Sequence, residues 1–160
     1  MTKDASFEDG AARALQLMAQ DADDLTVISS LVQDAVLQAS DITWQRSDRR
    51  VVMLLNRLRR EDGLSAERLG QSVERVRALL IIDNVTRFAA QGIRPDDADL
   101  VLSLLSVSFE ETKPPSGRIV LTFAGDGGLR AEVDAVDLVL KDVTRPYVAV
   151  AGKAPDHDLE

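Results

Sequence analysis

The run RIVLTFAGDGGLRAEVDAVDLVLKDV, residues 118–143, constrains the fold more than any other stretch, because strand, turn and strand follow one another in it without interruption. Ile119, Leu121 and Phe123 alternate along a first strand, and Leu129, Ala131 and Val133 along a second. Period two is the mark of a sheet with one buried face. Gly125, Asp126, Gly127 and Gly128 separate the two strands and tolerate the positive φ that a tight hairpin needs. The same GDGG has the look of a phosphate loop. Such a loop leads from a strand into a helix N-terminus, however, and here another strand follows, so the glycines read as a turn. Beyond that strand Asp134 can cap a helix, with Val136, Val139, Leu140 and Val143 at i, i+3, i+4 and i+7. The spacing predicts a C-terminal helix.

The preceding chain supplies more of the same sheet. Residues 14–18 read as a short strand. In DADDLTVISSLVQDAV, Asp21 is placed to cap a helix, Asp23 and Asp24 suit its first turn, and Leu25, Ile28, Leu31, Val32 and Ala35 form one face. Residues 36–39, 42–46 and 50–59 read as a β meander. Within VVMLLNRLR both parities are apolar up to Leu55, the pattern of a strand covered on both faces. EDGLSAERLGQS, residues 61–72, suits a loop at the sheet rim. Residues 73–83 and 85–91 give two more strands bending at Asp83 and Asn84, and a long strand over 100–110 is stopped by TKPPSG. The expectation is an α+β domain over residues 14–148, with flexible termini at 1–13 and 149–160. Its core is a bent, mainly antiparallel sheet or partly open barrel of about eight strands, with one early helix and one C-terminal helix packed across it. The element order resembles a pleckstrin-homology-like roll; an open sheet with both helices on one face is the alternative.

Composition narrows the chemistry. A chain of 160 residues can bury roughly 70% of its extended surface without disulfides or metals. Cysteine is absent, which excludes thiolate zinc sites and cysteine nucleophiles and fits a reducing compartment such as the cytoplasm. No run approaches the roughly 18 apolar residues of a spanning helix, so no membrane association is expected. The net charge of -8 disfavours phosphate backbones, making nucleic acid an unlikely partner. The single histidine, His157, lies between two aspartates near the end of the chain, poorly placed for a rigid catalytic base. Asp96, Asp97 and Asp99 lack the glycine and glutamate spacing of a calcium loop. No cofactor, metal or catalytic constellation is expected.

Charge is uneven along the chain. Residues 41–94 hold eleven arginines and no lysine against seven acids. Asn56, Arg57 and Arg59 form the polar cluster of greatest interest. Period-two geometry would put Arg57 and Arg59 on one side as an anion site, with Arg87 of a later strand as a third member. The competing reading is a surface pair neutralised by Glu61 or Asp83. Trp44, near Arg46, Arg49 and Arg50, is either a stacking platform or a partly buried strand residue. The expected function is a non-catalytic cytoplasmic binding or assembly module whose arginine-lined face takes a small anion or an acidic peptide of an unknown protein, with homo-oligomerisation open. The alternative is an enzyme acting on a small anionic metabolite through carboxylates and arginines.

LQLMAQDADDLTVISSLVQDAV, VVMLLNRLRRE, VLSLLSVSFE and GRIVLTFAGDGGLRAEVDAVDLVLKDV together resemble an uncharacterised bacterial family, domain of unknown function 2948. The likeness runs from about residue 14 to 147. It implies a single family domain of bacterial source, with no catalytic residues or ligand to carry over. Arg60 stands where the family usually has an aromatic.

Overall fold

Alternating burial along nearly every strand builds the molecule. In the computed structural model, residues 14–59, 74–94, 97, 99–143 and 147–148 are described. The expectations for both termini, the 61–72 loop, Arg60, Asp96 and His157 lie outside them. Among the described residues the strands are β1 (Gln16–Ala19), β2 (Val36–Gln38), β3 (Ile42–Gln45), β4 (Arg50–Leu58), β5 (Glu74–Ile82), β6 (Val85–Gln91), β7 (Val101–Glu111), β8 (Gly117–Phe123), β9 (Gly128–Val133), β10 (Leu138–Asp142) and β11 (Tyr147–Val148), and the one α-helix among them is α1 (Ala22–Val32), between β1 and β2.

All described strands join one antiparallel sheet in the order β1-β10-β5-β4-β2-β7-β8-β9-β6, with β3 also on β4 and β11 also on β5. Two features bend it. The start of β7 pairs with β2, and from Leu104 onward β7 pairs with β8, with a register shift between Leu104 and Ser106. Such an irregularity sharpens local twist. β5 runs into β6 through Asn84, whose φ of 61° is left-handed, at the bend the sequence predicts. The sheet does not close, since β1 and β6 stand at opposite ends of the strand order. Across the seam between β3 and β6, Trp44 meets Phe88 at 5.9 Å.

Leu25, Ile28 and Val32 of α1 sink into the core with Met53, Leu80, Leu104, Ile119 and Leu138. Burying each such side chain stabilises the fold by about 1.5–3 kcal/mol. The Asp21 carboxylate caps α1, accepting from the Asp24 N–H at 2.8 Å. Beyond the stretch of β7 that pairs with β2, the Val107 N–H donates to Ser29 Oγ at 2.9 Å, so the helix takes over as hydrogen-bond partner. At Gly117 a Cβ would lie 2.4 Å from the Phe109 ring and 2.6 Å from the Glu110 carbonyl oxygen, so a larger residue there forces the packing to shift.

The C-terminal helix expected after Asp134 is not formed. Leu138–Asp142 is β10, inserted between β1 and β5. Val136, Leu138, Leu140 and Asp142 are buried while Val139 and Lys141 are less so, which is period two. The apolar residues satisfy both periods. Two open strand edges and a stretch rich in β-branched valine decide for strand, since the segment is shorter than the 10–12 residues of an ordinary helix.

Candidate functional site

Arg57 points into the protein. It shares the parity of Val51, Met53 and Leu55 on β4 and is 0% exposed, and Asp142 at the end of β10 is 6% exposed. Arg57 Nε donates to Asp142 Oδ1 and Nη2 to Oδ2, both at 3.0 Å. This is the bidentate geometry for which a guanidinium is suited. Between β4 and β10, β5 presents Val76 and Ala78 to the same side, and the small alanine leaves room for the contact. Asp142 also ties down the start of β1. Its Oδ2 accepts from the Leu15 N–H at 2.9 Å, and its own N–H donates to the Leu15 carbonyl at 2.8 Å. Arg57 Nη1 donates further to the Leu58 carbonyl at 3.3 Å. Arg57 therefore fastens three strands from within.

The cluster expected around Arg57 separates accordingly. Arg59 follows the end of β4 and is half-buried. Arg87 is exposed on β6, beyond the turn at the opposite end of β5, in register with Glu132. There it ends a cross-strand row on the outer face of β7, β8, β9 and β6: Glu110, Arg118, Glu132, Arg87. Arg118 bonds Glu132 at 3.0 Å and Glu110 at 3.3 Å, and these two bonds raise its pKa above the ordinary arginine value. Asn56, on the other parity of β4, faces outward and stands opposite Arg77 of β5.

That outward parity defines the candidate site, the outer face of β1, β10, β5, β4 and β2. Asn56 and Arg77 share a groove of about 300 Å³ with Gln38, Asp41 and Leu54. Arg75 Nη1 lies 3.5 Å from both the backbone and side-chain oxygens of Asn56. Lys141 on β10 stands opposite Leu79 of β5, one row in from the cationic end made by Arg75 and Arg77. An apolar band follows in which Met18, Val139, Ile81 and Val52 sit in register, with Leu79 and Leu54 beside them. At the far end Arg50 bonds Asp83 at 2.7 Å. Its pKa is raised by that hydrogen bond and the charge of Asp83, with Asp48 and Asp137 adding to it. Four large hydrophobics, Met18 at 57%, Val143 at 44%, Val101 at 61% and Leu105 at 43% exposure, border this face. Scattered apolar exposure is ordinary, whereas a continuous apolar face rimmed by charge marks a contact surface.

Sequence reasoning missed Arg75, Arg77, Lys141 and Asp142 as members of a site. The missing signal was parity: Asn56 continues Val52 and Leu54, and Arg57 continues Met53 and Leu55. Trp44 packs against Phe88. The GDGG residues form the β8–β9 turn, with Gly125 and Asp126 at φ of 87° and 73° and the Phe123 N–H donating to the Gly127 carbonyl. Among the described residues no group of three or more His, Cys, Asp or Glu is arranged to hold a metal ion, and no helix is long and apolar enough to cross a membrane.

No curated protein and no solved structure matches the chain. A family model described as protein of unknown function, DUF2948, matches residues 15–157. With most of its length covered, the chain belongs to that family.

Proposed function

We propose that this protein is a non-catalytic cytoplasmic interaction module whose working surface is the outer face of β1, β10, β5, β4 and β2, and that it takes an acidic, partly apolar polypeptide segment there. The observation that carries this reading is the juxtaposition of Asn56, Arg75, Arg77 and Lys141 with the half-exposed apolar band of Val52, Leu54, Leu79, Ile81 and Val139. An acidic chain would place carboxylates over the arginines and apolar side chains over the band, gaining directional contacts from the first and burial from the second. The opposite sign of this corner against a net charge of -8 orients the encounter.

Fluorescence anisotropy with labelled dodecapeptides of mixed glutamate and leucine measures such binding. Arg75→Glu with Arg77→Glu should weaken it by about tenfold or more, while a lysine-for-glutamate peptide should not bind. Equal binding by wild type and the double variant would show the reading to be wrong.

A further inference from the structure

The same face is self-complementary. Its one end carries Arg75 and Arg77; its other carries Asp48, Asp83 and Asp137 gathered around Arg50. Between them lie Val139, Ile81, Val52, Leu79 and Leu54, an apolar middle on strands of matched register, with Lys141 beside Leu79. β4 is apolar at both parities from Val51 to Leu55, as in strands buried on both faces, yet its outward residues Val52 and Leu54 are only partly covered.

We infer that the occupant of this face is a second copy of the chain, packed face to face about a two-fold axis that crosses the strands between the row of Leu79 and Leu54 and the row of Ile81 and Val52. The inference rests on the reading of this face as the interaction surface and names its partner. Such an axis reverses strand direction between the copies, so a residue of β5 lies over one equally far on the other side of the level of Leu80. Ile81 then lies over Leu79 of the second copy, Asp83 over the second copy's Arg77, and Arg77 over the second copy's Asp83. Acidic end meets basic end twice, as an isologous contact requires. The apolar bands meet at the roughly 10 Å spacing of packed sheets. The five strands, nine residues long in β4 and β5 but only three to five in β1, β2 and β10, present roughly 500 Å² in projection at about 4.8 Å between strands. Two copies then bury about 1,000 Å² in total, the size of a weak, reversible complex. The opposite arrangement, with like ends together, would set Arg75 and Arg77 against their own copies.

Sedimentation velocity on the full chain, with charge-swapped variants, tests this. Wild type should dimerise, and raising salt from 50 to 500 mM should weaken the dimer by about tenfold. Leu79→Arg should be monomeric with unchanged far-ultraviolet circular dichroism. Arg75→Glu with Arg77→Glu makes both ends acidic, and Asp83→Arg with Asp137→Arg makes both ends basic. Each should be monomeric alone, and an equimolar mixture should form a heterodimer. A wild type monomeric at 100 µM overturns the inference, as does a dimer that persists in Leu79→Arg or a mixture that stays monomeric. Monomeric wild type that still binds the acidic peptides would leave the interaction reading standing with another partner; absence of both removes the reading as well.

Discussion

Replacing Asp142 by alanine should destabilise the protein more than any surface change of equal size. The carboxylate accepts two hydrogen bonds from Arg57 and one from the Leu15 N–H, at 3.0, 3.0 and 2.9 Å, in a site where Arg57 is 0% exposed. Removing one partner of a buried ion pair leaves an uncompensated charge and costs about 3–5 kcal/mol. Against a total stability of about 5–15 kcal/mol that is a large fraction. With a urea dependence of about 2 kcal/mol per molar, the unfolding midpoint should fall by about 2 M. Removing both charges, by Arg57→Met with Asp142→Leu, should recover most of the loss, because apolar pairs of similar volume replace buried ion pairs at little cost. What persists is the Leu15 N–H, worth about 1–3 kcal/mol when left unpaired. Equilibrium urea unfolding followed by circular dichroism reads both variants. A midpoint shift below about 0.5 M for Asp142→Ala, or a double variant no more stable than the single one, would refute the reasoning.

Three further outcomes follow from the packing. Gly117→Ala should cost about 1–3 kcal/mol through overpacking, since the Glu110 backbone oxygen cannot withdraw from a Cβ at 2.6 Å; an unchanged urea midpoint would contradict the contact. Leu80→Ala should cost about 2–5 kcal/mol as a fully buried deletion, and its neighbour Leu79→Ala, on the outer face, less than about 1 kcal/mol in the monomer; equal costs would mean the two faces of β5 are wrongly assigned. Ser29→Ala should remove the hydrogen bond to the Val107 N–H, costing about 1 kcal/mol and speeding exchange of that amide, which hydrogen exchange at Val107 would detect or deny.

Much of the fold was legible in the residues. The alternation of Ile119, Leu121 and Phe123 against Leu129, Ala131 and Val133, the Asp21 cap and the bend at Asn84 all appear in the structure where local chemistry puts them. Local chemistry was ambiguous at β10. Val136, Val139, Leu140 and Val143 fit a helical stripe, while Val136, Leu138 and Leu140 fit a strand, and the choice was made by the edges of β1 and β5, which lie over fifty residues away in sequence. The site was obscured for a related reason. A strand apolar on both parities hides which side its first polar residues take, and an error of one residue exchanges the faces. Arg57 and Arg59 looked like a pair; the outward residue was Asn56, with Arg75 and Arg77 supplied by the neighbouring strand. Asp142 carried a signal of its own, continuing the buried parity of Leu138 and Leu140, but a carboxylate on an apolar parity acquires meaning only once its guanidinium partner is known.

The most direct test of the outer face as the working surface is the concentration dependence of amide chemical shifts in uniformly labelled protein, from about 10 µM, well below a micromolar-to-millimolar dissociation constant's upper range, to about 1 mM. Shifts confined to the outward residues of β4, β5 and β10, among them Leu54, Arg75, Arg77, Leu79 and Val139, are the predicted result. Shifts clustered instead around Arg87, Ala89 and Arg130 on the β6–β9 face, with the first group unmoved, would contradict the account.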